Sequence, residues 1–246
     1  MRDIDDVVRA VREGGRMTVL TGAGISAESG IRTFRDAGGL WEEHPLEDVA
    51  TPEGFARDPA LVHRFYNARR RQVREVAPNP AHRALAELEA SLGSRFTLIT
   101  QNIDDLHERA GSRRVLHMHG EIFKARCAGC DAVREEHGDL STEHRCPHCR
   151  QPMRPHVVWF GEVPFFMEDA IPAALEADVF VSIGTSGVVY PAAGFVAMAR
   201  ARGALTVEIN LEPSATSSVF DVVITGKAGE KVPELTRRIL VEDGGP

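Results

Sequence analysis

The sequence predicts an α/β fold built on a doubly wound parallel sheet. The first observation is a series of short apolar runs separated by stretches of helical periodicity, which is typical of βαβ units. The second is a glycine-rich loop directly after the first run. The third is that two polar stretches, residues 37–77 and 123–154, interrupt the alternation. We expect these stretches to be insertions that pack together as a smaller lobe.

The predicted strands are short apolar runs, as expected where parallel strands are buried on both faces. Glycine or a polar residue follows each of them. The runs lie at residues 17–21, 96–100, 115–118, 178–183, 205–209 and 221–224.

The predicted helices combine one apolar face with residues that begin or end a helix. Apolar residues recur at helical spacing from Val7 to Val11, before the first strand. Asn79 is a capping residue followed by proline, and Gly93 ends the helix that they begin. Asp58 begins another helix in the same way, within the first insertion.

The composition is that of a globular chain. Of 246 residues, 43% are hydrophobic and 26% are charged, which excludes a disordered or fibrous protein. The formal net charge is −7 and aromatic residues make up 6%. A protein that acts mainly on nucleic acid usually has a basic surplus, so we expect no nucleic acid as the main partner.

The N-terminus does not have the pattern of a secretory signal peptide, so a cytoplasmic location is expected. Residues 179–199 contain no charge, but glycines and Pro191 interrupt them. This stretch is better explained by a buried strand, a loop and an apolar helix than by a membrane span. No exposed heptad pattern indicates a partner helix, and we expect a monomer.

All four cysteines fall in two C-x-x-C pairs, Cys127 with Cys130 and Cys146 with Cys149, separated by fifteen residues. This spacing favours one tetrahedral zinc site that is closed to substrate and therefore structural. Two disulfides are disfavoured without a secretion signal, and a redox C-x-x-C is a weaker alternative. The nearby histidines, His144 and His148, are expected to be loop residues.

The loop after the first strand contains Gly22 and Gly24 and begins a helix, an arrangement that can hold a pyrophosphate. Its third glycine, Gly30, comes later than in the usual dinucleotide motif, and no acidic strand end follows about 20 residues on. The loop therefore departs from that of a hydride-transfer enzyme, and an ordinary tight turn remains the alternative.

Polar clusters follow four of the predicted strands. Since ligands bind outside the carboxyl ends of parallel strands, the clusters indicate a single site. A histidine there can serve as general base, and His119 is the candidate, with an ordinary loop histidine as the alternative. The clusters are residues 101–104, 117–120, 184–186 and 210–212.

Together these motifs resemble the sirtuin family, in detail its bacterial CobB type of NAD-dependent lysine deacylase. The resemblance runs from about residue 15 to residue 233. It implies a Rossmann-like doubly wound parallel sheet, formed by residues 1–36, 78–122 and 155–246, that binds NAD. It implies a smaller zinc-binding lobe formed by a helical insertion, residues 37–77, and a zinc-binding insertion, residues 123–154.

The resemblance also implies a reaction in which an acyl group moves from lysine to ADP-ribose, releasing nicotinamide and O-acyl-ADP-ribose. His119 would deprotonate a ribose hydroxyl. A mono-ADP-ribosyltransferase on the same scaffold is the alternative. Two other classes remain: an oxidoreductase, which would produce NADH, and a zinc-ribbon binding module without turnover.

By the family pattern, NAD is contacted by residues of the glycine loop and of the strand ends. Asn102 and Asp104 would lie at the nicotinamide pocket, and Ala228 near the adenine. The implied NAD-binding residues are Gly22, Ala23, Gly24, Ile25, Ser26, Ala27, Glu28, Phe34, Arg35, Trp41, Gln101, Asn102, Ile103, Asp104, Gly184, Thr185, Ser186, Asn210, Leu211, Glu212 and Ala228.

The implied substrate is an acylated lysine of a protein that adds as a strand between two segments. One segment contains Val158, Phe160, Gly161 and Glu162, and the other is residues 187–190.

Tyr66 and Arg69 lie three residues apart, on one face of the predicted helix. In the sirtuin branch that removes succinyl and malonyl groups, such a pair binds the acyl carboxylate, beside an alanine that Ala50 matches. We expect removal of both acetyl and succinyl or malonyl groups. The alternative is a solvated basic helix, since other arginines lie close by.

Overall fold

The computed structural model describes residues 2–32 and 44–241. Its strands are β1 (Met17–Thr21), β2 (Phe96–Thr100), β3 (Val115–His117), β4 (Gly120–Cys127), β5 (Val133–Glu135), β6 (Met153–Val157), β7 (Val179–Ile183), β8 (Leu205–Asn210) and β9 (Val222–Thr225). Its helices are α1 (Ile4–Arg12), α2 (Ala23–Ala27), α3 (Leu46–Val49), α4 (Pro52–Arg57), α5 (Pro59–Glu75), α6 (Pro80–Leu92), α7 (Leu106–Ala110), α8 (Met167–Leu175), α9 (Phe195–Ala201) and α10 (Ala228–Leu240). Short 3-10 turns lie at Gly93–Arg95, Ala192–Gly194 and Ser217–Val219.

Six strands form one parallel sheet in the order β3-β2-β1-β7-β8-β9. Met17 of β1 pairs with Phe96 on one side and with Val179 on the other. The order reverses between β1 and β7, and this switch point opens a crevice at the carboxyl ends of the strands. The predicted doubly wound α/β fold is therefore confirmed, and each predicted strand end agrees to within one residue.

Helices cover both faces of this sheet, and its central strands are buried throughout. Every residue of β1 and of β7 is buried. On one face α1, α6 and α10 share an apolar core with the sheet, and on the other face α8 and α9 do so. The strongly buried interior is typical of an all-parallel sheet.

Helix α6 shows how local sequence sets an element's ends. The Asn79 side chain accepts a hydrogen bond from the Ala81 amide at 2.9 Å, and Pro80 occupies the first helical position. Gly93 follows the last residue with a φ of +60°, a conformation that glycine adopts easily. The predicted helix is thus present with its predicted ends.

A second, antiparallel sheet has the order β5-β4-β6. Helices α3, α4 and α5 pack beside it around an apolar cluster that includes Phe65, Ile122 and Trp159. The cysteine-rich end of the sheet has a separate and very small core, in which Leu140 and Met153 are the largest apolar side chains.

None of the helices in the described part of the chain combines the length and apolar character that a membrane span requires.

Candidate active site

A cavity of about 420 Å³ lies at the carboxyl ends of the parallel strands, within the usual size range of small-molecule sites. Its walls come from the loops after β1, β2, β3, β7 and β8, from the segment after β6, and from the end of α3 and one face of α5. Of the residues that the sequence singled out, those that line it are Gly22, Ala23, Gly24, Ala50, Tyr66, Gln101, Asn102, Ile103, His119, Val158, Phe160, Gly161, Glu162, Gly184, Thr185, Ser186, Val189, Tyr190 and Asn210.

Other singled-out residues lie outside the cavity wall. Ile25, Ser26 and Asp104 are buried behind it, and Arg69 is half-buried on α5. Ala27, Glu28, Leu211 and Glu212 are exposed, and Ala228 is buried at the start of α10. Phe34, Arg35 and Trp41 fall outside the described residues.

The glycines after β1 are required by a close contact between two loops. A Cβ atom on Gly24 would lie 2.7 Å from the Cα of Gly184, and a Cβ on Gly22 would lie 2.7 Å from the Gly184 oxygen. The Gly24 amide donates to this same oxygen at 2.9 Å. Backbone therefore packs on backbone where the loops after β1 and β7 meet, which brings both loops to the floor of the cavity.

A chain of buried polar groups fixes the loop after β2 against α2. The Asn102 amide group donates to the Gly22 oxygen at 3.2 Å and to Ser26 Oγ at 3.1 Å, and the Ser26 hydroxyl donates to Asp104 Oδ2 at 3.1 Å. Burial raises the pKa of Asp104 to about 6, although hydrogen bonds from the Leu106 amide and the Ser26 hydroxyl oppose this. The carboxyl group thus changes charge close to neutral pH.

His119 has the environment of a general base. Its Nδ1 lies 3.1 Å from the Gln101 oxygen. A carbonyl oxygen only accepts, so Nδ1 carries the proton and Nε2 is left as the acceptor. Burial lowers the pKa of His119 below its ordinary value, against the opposing effect of the Gln101 carbonyl. The imidazole is therefore neutral at neutral pH and can accept a proton at Nε2.

His117 lies two residues away, and its pKa is shifted in the opposite direction. Its Nε2 is 2.7 Å from a carboxylate oxygen of Glu108, and its Nδ1 is 3.2 Å from the Asn102 oxygen. Burial alone would lower the pKa of His117, but the Glu108 carboxylate outweighs burial and the pKa is raised. Since His117 lies behind the cavity wall and is held by the Glu108 carboxylate, it has a structural role rather than that of the base.

The rim of the cavity at β7 and β8 is also held by polar contacts. Asn210 donates through Nδ2 to the Thr185 oxygen at 2.8 Å, and Thr185 Oγ1 lies 3.0 Å from Ser182 Oγ. Farther out, Glu28 Oε1 accepts from the Gly229 amide at 2.8 Å, which connects α2 to the start of α10.

The segment after β6 already uses most of its backbone amides. The Val158 amide donates to the His119 oxygen at 2.9 Å, and the Phe160 amide donates to the Ala50 oxygen at 3.0 Å. The Glu162 amide donates to the Trp159 oxygen at 3.0 Å. An added peptide strand would therefore need the Gly161 amide or free carbonyl oxygens of this segment.

Helix α5 presents Tyr66 to the cavity and carries Arg69 one turn later. The Arg69 guanidinium lies 4.2 Å from the Phe65 ring centroid and donates to the Phe65 oxygen at 3.3 Å. The helix is not simply a solvated basic surface, because Arg70 is fully buried and donates through Nε to the Ile122 oxygen at 3.0 Å.

Sequence reasoning missed Trp159 and Asn67. The Trp159 indole donates to the Tyr66 hydroxyl, and the Asn67 side chain hydrogen-bonds to both backbone groups of Leu140. The available signal for Trp159 was its place in the chain, between Val158 and Phe160, which the sequence had singled out. Nothing local in the sequence indicates the contact of Asn67.

The four cysteine thiols converge as the spacing predicts. Their sulfur atoms all lie within 4.8 Å of one another, and three of the pairs are 3.4, 3.7 and 3.6 Å apart. Tetrahedral zinc with Zn–S bonds of about 2.3 Å places its sulfur ligands roughly 3.8 Å apart. The donor set therefore fits zinc. His144 is occupied otherwise, since its Nδ1 accepts from the Ser141 amide at 3.0 Å.

Comparison with known proteins agrees with this geometry. The pattern of the Sir2 family matches residues 22–191, which is more than half of the chain. The chain belongs to the Sir2 family. The resemblance to sirtuins of the CobB type is thereby confirmed, and the fold and the cysteine cluster agree with it.

Relatives within the Sir2 family cover nearly the whole chain. One is the NAD-dependent protein deacylase of Salmonella typhimurium, 58% identical over 241 residues, covering 96% of this chain and 88% of the relative. Another is the NAD-dependent protein deacylase of Yersinia pseudotuberculosis, 61% identical over 233 residues, covering 93% and 84%.

Solved structures of the family are similar as well. A Sir2 homologue in complex with NAD has a TM-score of 0.88 and 41% identity, covering 97% of this chain and 94% of its own. A Sir2 variant with a deacetylated p53 peptide and 3′-O-acetyl ADP ribose has a TM-score of 0.80 and 28% identity, covering 97% and 98%.

Proposed function

We propose that the chain is an NAD-dependent protein-lysine deacylase. The observation that carries this is the single cavity in which the glycine loops, the segment 101–103 and the neutral His119 meet, with Ala50 and Tyr66 in the same wall. Relatives that are 58% and 61% identical are named for this activity. Bound NAD supplies the ADP-ribosyl group that takes over the acyl group as nicotinamide leaves.

The catalytic residue in this proposal is His119. Its Nε2 accepts the proton of a ribose hydroxyl, because Nδ1 is committed to the Gln101 oxygen. The Asn102 side chain is fixed by Gly22 and Ser26, so it can present a rigid wall to nicotinamide. A rigid, partly dry wall keeps water away from the reacting carbon while the acyl oxygen approaches.

NAD is proposed to lie along the carboxyl ends of the parallel strands. Gly22, Gly24 and Gly184 offer the closest backbone approach, and Asn210 lies at the adenosine side. The more peripheral NAD residues of the sequence analysis, among them Glu212 and Ala228, stay part of this proposal. So does the division into an NAD-binding lobe (1–36, 78–122 and 155–246) and a small lobe (37–77 and 123–154); all six parallel strands fall in the former.

The protein substrate is proposed to enter as an extended strand that places its acyl-lysine between the segment after β6 and residues 187–190. Since the Val158 and Phe160 amides are already bonded, Gly161 and free carbonyl oxygens of the segment are the pairing groups we expect. Action as a monomer stays part of this proposal. The four cysteines would hold a structural zinc with no open position for substrate.

The acyl preference is proposed to include succinyl and malonyl as well as acetyl. Small Ala50 leaves room at the acyl end of the cavity, and Tyr66 supplies a phenol there. Arg69 brings a positive charge one turn along the same helix. A phenol and a guanidinium together bind a carboxylate by charge-assisted hydrogen bonds.

Product analysis tests the activity. Acetyl-lysine and succinyl-lysine peptides are incubated with the protein and NAD, and products are identified by mass spectrometry. The proposal predicts equal amounts of nicotinamide, O-acyl-ADP-ribose and free lysine peptide. ADP-ribose left on protein would instead identify an ADP-ribosyltransferase, and NADH would identify an oxidoreductase.

The acyl preference is tested by Arg69→Met. Removing a charge-assisted contact should lower the succinyl-to-acetyl ratio of kcat/KM by roughly ten- to a hundredfold. Arg64→Met is the matched control, because Arg64 is exposed on the same helix. An equal loss on both peptides would contradict the proposed role of Arg69.

A further inference from the structure

The acyl end of the cavity contains a hydrogen bond between two buried aromatic side chains. Trp159 Nε1–H donates to the Tyr66 hydroxyl oxygen over 3.0 Å. The two residues are 2% and 4% exposed, and both line the cavity. Within residues 2–32 and 44–241 this is the one hydrogen bond of the Tyr66 side chain. The hydroxyl proton is therefore available to a group bound in the cavity.

The indole N–H also determines where that proton lies. A phenolic oxygen has one O–H to donate and lone pairs to accept with. Conjugation keeps the O–H bond near the plane of the ring, which leaves two positions for the hydrogen. Because Trp159 donates to the oxygen from one side, the Tyr66 proton takes the other side. Burial also raises the pKa of Tyr66, so the phenol keeps its proton at neutral pH.

The Trp159 ring is itself held rigidly. The Arg154 guanidinium lies 3.3 Å from its ring centroid, and Phe55 packs with its centroid 5.3 Å away. Arg154 forms two hydrogen bonds with the Glu162 carboxylate, at 2.6 and 2.9 Å. Glu162 Oε2 also accepts from the Trp159 amide at 2.8 Å. The donor that orients Tyr66 is thus fixed through both its ring and its backbone.

We propose that Trp159 is a positioning residue for acyl-group selection, whose indole N–H turns the Tyr66 hydroxyl proton toward the distal carboxylate of a succinyl or malonyl group. This inference rests on the proposed acyl preference. A neutral acyl chain offers no oxygen at that place, so the orientation of Tyr66 matters for acidic acyl groups and not for neutral ones of equal length.

The test is a double-mutant cycle on two acyl groups with the same number of carbon atoms. Trp159→Phe keeps an aromatic ring but has no N–H, and Tyr66→Phe removes the hydroxyl. The two variants and their combination are compared by kcat/KM on succinyl-lysine and butanoyl-lysine peptides at saturating NAD. Each single variant should lower the succinyl-to-butanoyl ratio by roughly tenfold, and the double variant should be no lower than Tyr66→Phe alone.

Other outcomes overturn the inference. An equal loss on both peptides would show that Trp159 only supports the fold, and an additive loss in the double variant would show that it acts independently of Tyr66. If Trp159→Phe fails to fold, replacing Trp159 by benzothienylalanine keeps the bicyclic shape without the N–H. A wild-type protein with no preference for succinyl over butanoyl refutes the acyl preference and this inference together. If the wild type prefers succinyl-lysine but the Trp159 variant has the same succinyl-to-butanoyl ratio as the wild type, this inference alone is refuted.

Discussion

The parallel sheet and the cysteine-rich end of the small sheet are stabilised in different ways. Every residue of β1 and β7 is buried, and helices cover both faces of the sheet. By contrast, every residue of β5 is exposed, and the core beside it consists of only a few apolar side chains and cysteines. Apolar burial can support the first region, whereas the second depends on what its four thiols bind. The first region can therefore tolerate buried polar groups at its catalytic edge.

Removing one thiol should give the largest effect, because binding of structural zinc contributes on the order of 10–16 kcal/mol. Cys146→Ser is expected to lose the metal and to make the amides of β4, β5 and β6 exchange rapidly, while β1 and β7 stay protected. Zinc content by elemental analysis and hydrogen exchange by mass spectrometry measure both effects.

Leu98→Ala is the matched substitution in the parallel sheet, since Leu98 lies in the buried strand β2. It should cost about 2–5 kcal/mol of global stability and retain zinc. If Cys146→Ser retained zinc and the β4 amides stayed protected from exchange, the cysteine-rich end would not depend on its four thiols, which would contradict the difference between the two regions.

Asn67 connects α5 to the cysteine-rich end, and its loss should have an intermediate effect. Its Nδ2 donates to the Leu140 oxygen at 2.8 Å, and its Oδ1 accepts from the Leu140 amide at 2.9 Å. Leu140 is buried, so Asn67→Ala leaves two backbone groups unpaired and should cost about 2–4 kcal/mol.

Zinc affinity in a competition assay, with hydrogen exchange at Leu140, measures the effect of Asn67→Ala. Asn67→Asp keeps the oxygen that accepts from the Leu140 amide but loses the donor to the Leu140 oxygen. Its zinc affinity should therefore fall less than that of Asn67→Ala. An unchanged zinc affinity in Asn67→Ala would show that the cysteine-rich end is stable without this contact.

Replacing Asp104 should have a smaller effect on stability, and of the opposite sign: the protein should become more stable. Its pKa is about 6 in the folded protein, against an ordinary 3.8, because the carboxyl group is buried. The folded chain binds this proton more tightly than the unfolded chain, so the stabilisation is complete below pH 4 and is lost as the pH rises through 6. Asp104→Asn should therefore raise the free energy of unfolding at pH 8 by about 1–3 kcal/mol and change it little at pH 4.

Denaturant unfolding at pH 8 and pH 4 measures the effect of Asp104→Asn. Glu87→Gln, at an exposed position on α6, is the control and should change neither value. A loss of stability at pH 8 would mean that the ionised Asp104 is stabilised by its hydrogen bonds more than it is destabilised by burial.

The sequence predicts those parts of the fold whose signal is local. Short, mainly apolar runs identified all six parallel strands, and paired cysteines identified the metal cluster. Strand β5 was not predicted, because none of its residues is buried and it therefore has no apolar pattern. The short helices α3 and α4 lie in a polar stretch and are held by contacts with distant residues, as where Phe55 of α4 packs on Trp159.

At the site, the sequence identified the strand ends but not the states of the side chains. His117 and His119 occur in the same tripeptide, yet Glu108, brought in by α7, raises the pKa of His117, whereas burial lowers the pKa of His119. The Trp159–Tyr66 hydrogen bond joins residues 93 positions apart. Such pairs depend on tertiary packing, which no local spacing encodes.

The most direct test of the central claim is the rate of acyl transfer in His119→Ala. The account predicts that kcat/KM for deacylation of an acetyl-lysine peptide with NAD falls by about 10²–10⁴, because the ribose hydroxyl loses its base. His148→Ala, at an exposed position in the cysteine-rich loop, should keep the wild-type rate. A His119→Ala protein that is folded, retains zinc and forms O-acetyl-ADP-ribose at the wild-type rate would contradict the account.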